Sequence, residues 1–199
     1  MNILRASFVV LWLALAGAMP AWSATLTLPE LLTSLSQVRT GDARFVEKRR
    51  VQALEQTLEY SGRLSFKAPD VFVRETLKPR PERLAVDGNT LTMSQGSRSR
   101  TVQLDTVPEA QVMVEAIRGT LTGNAAVLDK HFQTQLSGSA ERWTLELVPK
   151  DFRLRELVSR IEIGGRQALV LSVALQMADG DQSVMTIEPA AASVPAAAK

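Results

Sequence analysis

The stretch Leu58-Glu59-Tyr60-Ser61-Gly62-Arg63-Leu64-Ser65-Phe66-Lys67 alternates from end to end. Leu58, Tyr60, Leu64 and Phe66 fall on one side with Gly62; Glu59, Ser61, Arg63, Ser65 and Lys67 fall on the other. Successive side chains of a strand point to opposite faces, so this period of two describes an antiparallel strand with one face buried and one in water. Outward from it, similar one-sided runs occupy 42–51, 71–77, 82–86, 90–94 and 100–104. Asp87-Gly88-Asn89 is a tight-turn signal between two of them. Pro69-Asp70 and Pro79-Arg80-Pro81 mark other connections, because proline cannot donate to a central ladder.

A second meander is expected at 132–136, 142–148, 157–163, 168–177 and 183–188. There Trp143, Leu145 and Leu147 alternate with Arg142, Thr144 and Glu146, while Leu169, Leu171, Val173, Leu175 and Met177 share a face. Helical spacing appears in two places. Leu28, Leu31, Leu32, Leu35 and Val38 follow Thr27, which caps, Pro29 in the first turn and Glu30, which completes a capping box; Gly41 is the expected stop. Val112, Met113, Ala116 and Ile117, then Ala126, Val127 and Leu128, describe two short helices separated at 119–124.

The ends of the chain read differently. Arg5 followed by an uncharged apolar run and then Pro20-Ala21-Trp22-Ser23 is expected to be a secretory signal peptide over residues 1–23. The Ala-rich segment 190–199 reads as a flexible tail. Between them, one domain accounts for the length of 199 residues. The net charge of +2 falls to +1 once Arg5 leaves, which gives no support to a nucleic-acid partner. Arg44, Lys48, Arg49 and Arg50 form a local basic cluster, read as a solvated strand edge. Zero cysteine excludes disulfides, thiol catalysis, zinc-thiolate sites and a lipidated N-terminal cysteine, and a single histidine leaves no histidine metal cluster.

About eleven strands at roughly 4.8 Å spacing make a sheet about 50 Å wide, whereas each short helix covers a stripe of about 10 Å. Such a sheet either curls into a barrel-like form with a cavity or collapses into a sandwich with a solid core. Periodicity alone leaves both open. Leu, Val, Met and Ile dominate the inward faces, and only 5% of the chain is aromatic. An aliphatic lining suits acyl chains better than ring ligands that need placed polar groups. Met93, Met113, Met177 and Met185 serve either as adaptable lining or as ordinary core.

No catalytic constellation stands out. The chain lacks a Gly-x-Ser-x-Gly elbow, a phosphate loop and a glycine-rich dinucleotide fingerprint. Glu47, Glu59, Glu75 and Glu146 read as a solvated strand face, and His131 as a capping or surface residue. The expectation is therefore binding rather than catalysis, with no catalytic residue, no metal and no cofactor.

The run Gly62-Arg63-Leu64-Ser65-Phe66-Lys67-Ala68-Pro69-Asp70-Val71-Phe72, then Pro79 and Val86-Asp87-Gly88-Asn89-Thr90-Leu91, resembles the periplasmic lipoprotein carrier family LolA. Motif-level likeness covers roughly 27–93; beyond that the order of elements carries it. The resemblance implies a mainly β (α+β) fold: a half-open, incomplete antiparallel β-barrel of about 11 strands, with an N-terminal helix and two short lid helices, over residues 24–189. It implies a periplasmic monomer that carries lipoprotein or other acylated lipid cargo toward the outer membrane, with an inner-membrane donor complex and an outer-membrane acceptor. Related folds act as lipoprotein-sensing regulatory modules, which is the alternative role. Each methylene exposed to water costs about 0.8 kcal/mol, so a 16-carbon chain represents on the order of 12 kcal/mol that an aqueous crossing must shield.

Parity and resemblance together give an expected hydrophobic cavity lined by Phe45, Leu58, Tyr60, Leu64, Phe66, Ala68, Phe72, Leu84, Val86, Leu91, Met93, Trp143 and Leu145, with Met113, Ile117 and Leu121 on the lid. The chain departs from the family pattern in three places. Ala68 stands where the family carries an arginine thought to latch the lid, Arg74 where it has tryptophan, and Ser94 where it has tyrosine.

Overall fold

The structure, a computed structural model, describes residues 26–190. The expected signal peptide and all of the tail except Ala190 lie outside the described residues. Eleven strands follow a first helix: α1 (Leu28–Ser36), β1 (Thr40–Val51), β2 (Gln56–Lys67), β3 (Val71–Lys78), β4 (Glu82–Asp87), β5 (Thr90–Gln95) and β6 (Arg98–Gln103). Then come α2 (Pro108–Leu121), α3 (Ala125–His131), β7 (Phe132–Ser139), β8 (Arg142–Pro149), α4 (Phe152–Arg155), β9 (Val158–Arg166), β10 (Leu169–Met177) and β11 (Gln182–Pro189). All eleven strands join one antiparallel sheet in the order β6-β5-β4-β3-β2-β1-β11-β10-β9-β8-β7.

That order explains the helices. Each meander pairs strand by strand, and the two are joined only where β1 meets β11. The edges β6 and β7 do not pair, so the sheet stays open. The chain that connects these edges must cross the concave side, and it does so as α2 and α3.

Direct partners in an antiparallel ladder share a face. Phe45 faces Gly62 and Ile187, Leu64 faces Ala43 and Arg74, and Phe66 faces Phe72. Val86 faces Leu91, Leu84 faces Met93, Met185 faces Val173, and Ile163 faces both Val173 and Leu145. One face thus runs continuously across all eleven strands, and the helices pack on it. A register shift between Val170 and Ser172 alters the alternation expected in β10: Val170, rather than Leu169 or Leu171, joins Val173, Leu175 and Met177 against the core.

Other expectations also shift. α1 has its capping box, with the Thr27 N–H donating to Glu30 Oε2 at 2.9 Å and the Thr27 hydroxyl donating to the same oxygen at 2.7 Å. These bonds hold the Glu30 carboxyl below its ordinary range. The helix stops at Ser36, however, and Gly41 already belongs to β1. α2 continues through Gly119; the break falls at Gly123, whose φ of +66° and close approach to the Leu32 carbonyl leave no room for a side chain. α4 was not expected; Asp151 caps it, accepting from the N–H groups of Arg153 and Leu154. The basic cluster is not at an edge, because β1 is central. Arg44, Lys48 and Arg50 project from its convex side, and Arg49 pairs with Asp181 at 3.3 Å.

Gly62 is sterically required. A Cβ there would sit 1.9 Å from the Glu75 carbonyl oxygen, at the point where the β2–β3 register shifts. Around Gly41 nothing lies within 4 Å of such a Cβ. Gly62→Ala is expected to lower the unfolding free energy in urea by about 1–3 kcal/mol, and Gly41→Ala to stay within about 0.5 kcal/mol of the parent.

Candidate functional site

The core is divided. Leu31, Leu32 and Leu35 of α1, Val112 and Ala116 of α2, and Leu128 of α3 pack on Phe132, Trp143, Leu145, Leu147, Ile161 and Ile163. A second, smaller cluster joins Val86, Leu91 and Leu104 to Phe72, Met93, Val102 and, from α2, Ala110 and Val114. A helix turns about 100° per residue, so α2 presents Val112 and Ala116 to one cluster and Ala110 and Val114 to the other. Met113 and Ile117 lie on the arc between those stripes. They belong to neither cluster and are only half-buried, as is Leu121.

The middle strands likewise lie outside both cores. Tyr60, Leu64 and Phe66 of β2 and Met185 and Ile187 of β11 are half-buried on the concave face, and Leu58 is 37% exposed. None of them belongs to either cluster. Phe66 stacks on Phe72 at 5.2 Å between ring centres and borders the second cluster. The middle strip of the concave face therefore carries two half-buried apolar rows, on β2 and β11, flanked by two packed cores, with Glu47 and Arg49 of β1 standing between them in register with Tyr60 and Met185 and with Leu58 and Ser183.

The expected lining residues divide accordingly. Leu58, Tyr60, Leu64 and Phe66 lie on the strip, with half-buried Leu84 beside it in register with Arg74 and Met93. Phe72, Val86, Leu91 and Met93 share the face but are packed in the second cluster. Trp143 and Leu145 are sealed in the first, and the Trp143 indole N–H donates to the Gln167 carbonyl at 2.9 Å. Ala68 lies beyond the end of β2, where its N–H donates to the Arg39 carbonyl at 2.8 Å.

Phe45 is 2% exposed because a charged group covers it. The Arg74 guanidinium lies 5.0 Å from the Phe45 ring centre and donates to Glu47 Oε2 at 2.5 Å. The Ser183 hydroxyl donates to Glu47 Oε1 at 2.5 Å. Reading Glu47 as solvated was wrong: it is 9% exposed, on the concave face. Its parity with Ala43 and Phe45 on β1 was the available signal, hidden by the dense charges of 44–50.

A second arginine ties α2 down. Arg118 donates through Nη2 to the Gly88 carbonyl in the β4–β5 turn at 2.7 Å, and through Nη1 to Glu115 at 2.8 Å. A polar cleft of about 540 Å³, lined by Pro69, Asp70, Arg118 and Thr122 among others, opens beside this contact. Another, of about 610 Å³ around Arg50, Gln52, Glu55, Gly180 and Gln182, lies at the far end of the long β1–β2 hairpin. Neither is on the middle strip.

The sequence profile of the outer membrane lipoprotein carrier protein LolA-like family matches residues 20–199. The chain belongs to that family. Among solved structures, a LolA superfamily protein from Nitrosomonas europaea shares 11% identity at a TM-score of 0.44, over 82% of this chain and 92% of that one. MucB, in the Pseudomonas aeruginosa MucA/MucB complex, shares 16% at 0.44, over 85% and 59%. LprF from Mycobacterium bovis shares 10% at 0.36, over 81% and 91%. No curated protein matches significantly. The family assignment rests on the profile, and the open eleven-stranded sheet with helices on its concave side agrees with it. Among the described residues, no helix is long and apolar enough to cross a membrane.

The charge-assisted Arg118 bond anchors one end of α2. Arg118→Leu is expected to speed amide hydrogen exchange in α2 about tenfold, read by mass spectrometry, while exchange in β8 and β9 stays as in the parent.

Proposed function

We propose that this chain is a periplasmic carrier that shields the acyl chains of lipoproteins or other lipids on its concave face and moves them toward the outer membrane. The observation that carries the reading is the half-buried apolar side chains of β2, from Leu58 to Phe66, and of β11, at Met185 and Ile187, which neither packed core takes in. An apolar face reachable by water is costly, at about 25 cal/mol per Å². An acyl chain is the complementary ligand, because it needs length and apolar contact and no placed polar partner. Met113 and Ile117 lie on the arc of α2 that neither core uses. Methionine adapts its shape, so this arc tolerates cargo beneath it. The Arg118–Gly88 contact holds α2 over the strip when it is empty and yields as cargo enters.

Leu64 and Arg63 are neighbours that point to opposite faces. Leu64→Glu is expected to weaken uptake of a fluorescent acyl probe at least tenfold, whereas Arg63→Glu should leave it within about twofold. Both sites are open enough to keep the fold, which circular dichroism checks, and Ile187→Glu provides an independent second variant on the strip. Equal losses from Leu64→Glu and Arg63→Glu would refute the facing. Absence of bound lipid, both in protein extracted from periplasm and after loading trials, would refute the carrier role.

A further inference from the structure

β2 is longer than its neighbour β3. Every one of its residues pairs with β1, from Gln56 opposite Val51 to Lys67 opposite Thr40, with no shift of register. Pairing with β3 begins only at Ser61, opposite Lys78. The sequence explains why β3 leaves there. Leu77 is the extra residue where the register shifts between Ser61 and Gly62, and Pro79 and Pro81 just beyond it have no N–H to donate. Residues 56–60 are therefore a bare edge inside the sheet. Gln56, Thr57, Leu58 and Glu59 are exposed, and among the described residues no backbone group of another element bonds to the side that β3 leaves open.

Natural sheets blunt such edges with lysine, proline, a bulge or an inward-pointing charge. Here there is one charge, Glu59, on the convex side, and neither proline nor bulge. The position of the edge sets it apart from the two ends of the sheet. β6 and β7 lie alongside packed cores, through Val102 and Phe132. The β2 edge adjoins Leu58 and Tyr60, the first members of the apolar row that neither core takes in. What fits there follows from the chemistry of a strand edge, in which alternate residues turn both N–H and C=O outward. A glycerolipid offers ester oxygens but no row of alternating donors and acceptors. An extended polypeptide offers both at the matching spacing.

We infer that residues 56–60 hold the polypeptide part of an acylated cargo: the extended segment next to the lipid-bearing residue adds as a strand to the β2 edge, while the acyl chain lies on the row from Leu58 to Phe66. Main-chain pairing reads no side chain, so cargoes of different sequence are held alike. The inference rests on the acyl-carrier reading and specifies that chains linked to a polypeptide bind in preference to the same chains without one.

The test uses the whole protein and two ligands, an S-(dioctanoylglyceryl)cysteinyl hexapeptide of uncharged residues and S-(dioctanoylglyceryl)cysteine amide, which has the same chains and no peptide. Each competes with a fluorescent acyl probe below its aggregation threshold. The lipopeptide is expected to bind at least about tenfold tighter, the worth of two or three main-chain hydrogen bonds. Only every second residue of an added strand bonds to its neighbour. Of two complementary sets of alternating backbone N-methylations, one is therefore expected to abolish the gain and the other to leave it within about twofold. Amide hydrogen exchange within residues 56–60 is expected to slow at least about tenfold with the lipopeptide and to stay unchanged with the amide. Equal affinities, or unchanged exchange at 56–60, with both ligands bound, overturn the strand addition and leave the carrier standing. Equal slowing by the unacylated hexapeptide at the same concentration also overturns it, because the edge then serves a partner other than cargo. Failure of both ligands to bind overturns the carrier reading itself.

Discussion

One sheet face has more apolar surface than its helices can cover. Eleven strands carry inward-facing side chains across a single continuous face, while the helices laid on it are short and few. Because β6 and β7 do not pair, the sheet cannot close on itself and seal that surface. The helices cover the two flanks, where chain connectivity places them: α1, α3 and α4 with part of α2 over β7–β9, and the start of α2 over β3–β6. The centre, β2, β1 and β11, is what remains.

α2 joins the two halves. Its opposite stripes serve different cores, and the arc between them, with Met113 and Ile117, belongs to neither. Displacing it entirely would open both cores. The polar group at Phe45, Glu47, Arg74 and Ser183 closes the floor of the strip and excludes water from the Phe45 ring without filling the space with hydrocarbon.

Much of this architecture was legible from alternation. The period-two run at Leu58–Lys67 and its turn signals located the strands to within three residues at either end, and parity placed Leu64 and Arg63 on opposite faces. What periodicity could not show was how far each residue is covered. Trp143 and Leu145 have the same parity as Leu64, yet they lie beneath helices whose docking is a long-range matter. Glu47 was obscured because charge on a strand usually means solvent; its burial depends on Arg74 and Ser183, which are distant in sequence and adjacent only through the β1–β11 and β2–β3 ladders. The short α4 carried too few residues for any period to register, and the β10 bulge shifts parity with no glycine or proline in β10 itself, the only cue being Gly164 and Gly165 opposite it on β9. The Arg118–Gly88 bond was likewise out of reach, because its acceptor is a backbone carbonyl that sequence does not single out.

The central claim is that the uncovered strip, and no other apolar surface, receives the acyl chain. Methyl-labelled protein titrated with a doxyl-labelled stearoyl glycerol ester reads this directly by nuclear magnetic resonance. Paramagnetic broadening is predicted at the methyls of Leu64, Met113, Ile117, Met185 and Ile187, with the exposed convex Val46 and Val184 left sharp. Broadening on the convex face, or none at the strip under saturating lipid, would contradict the account.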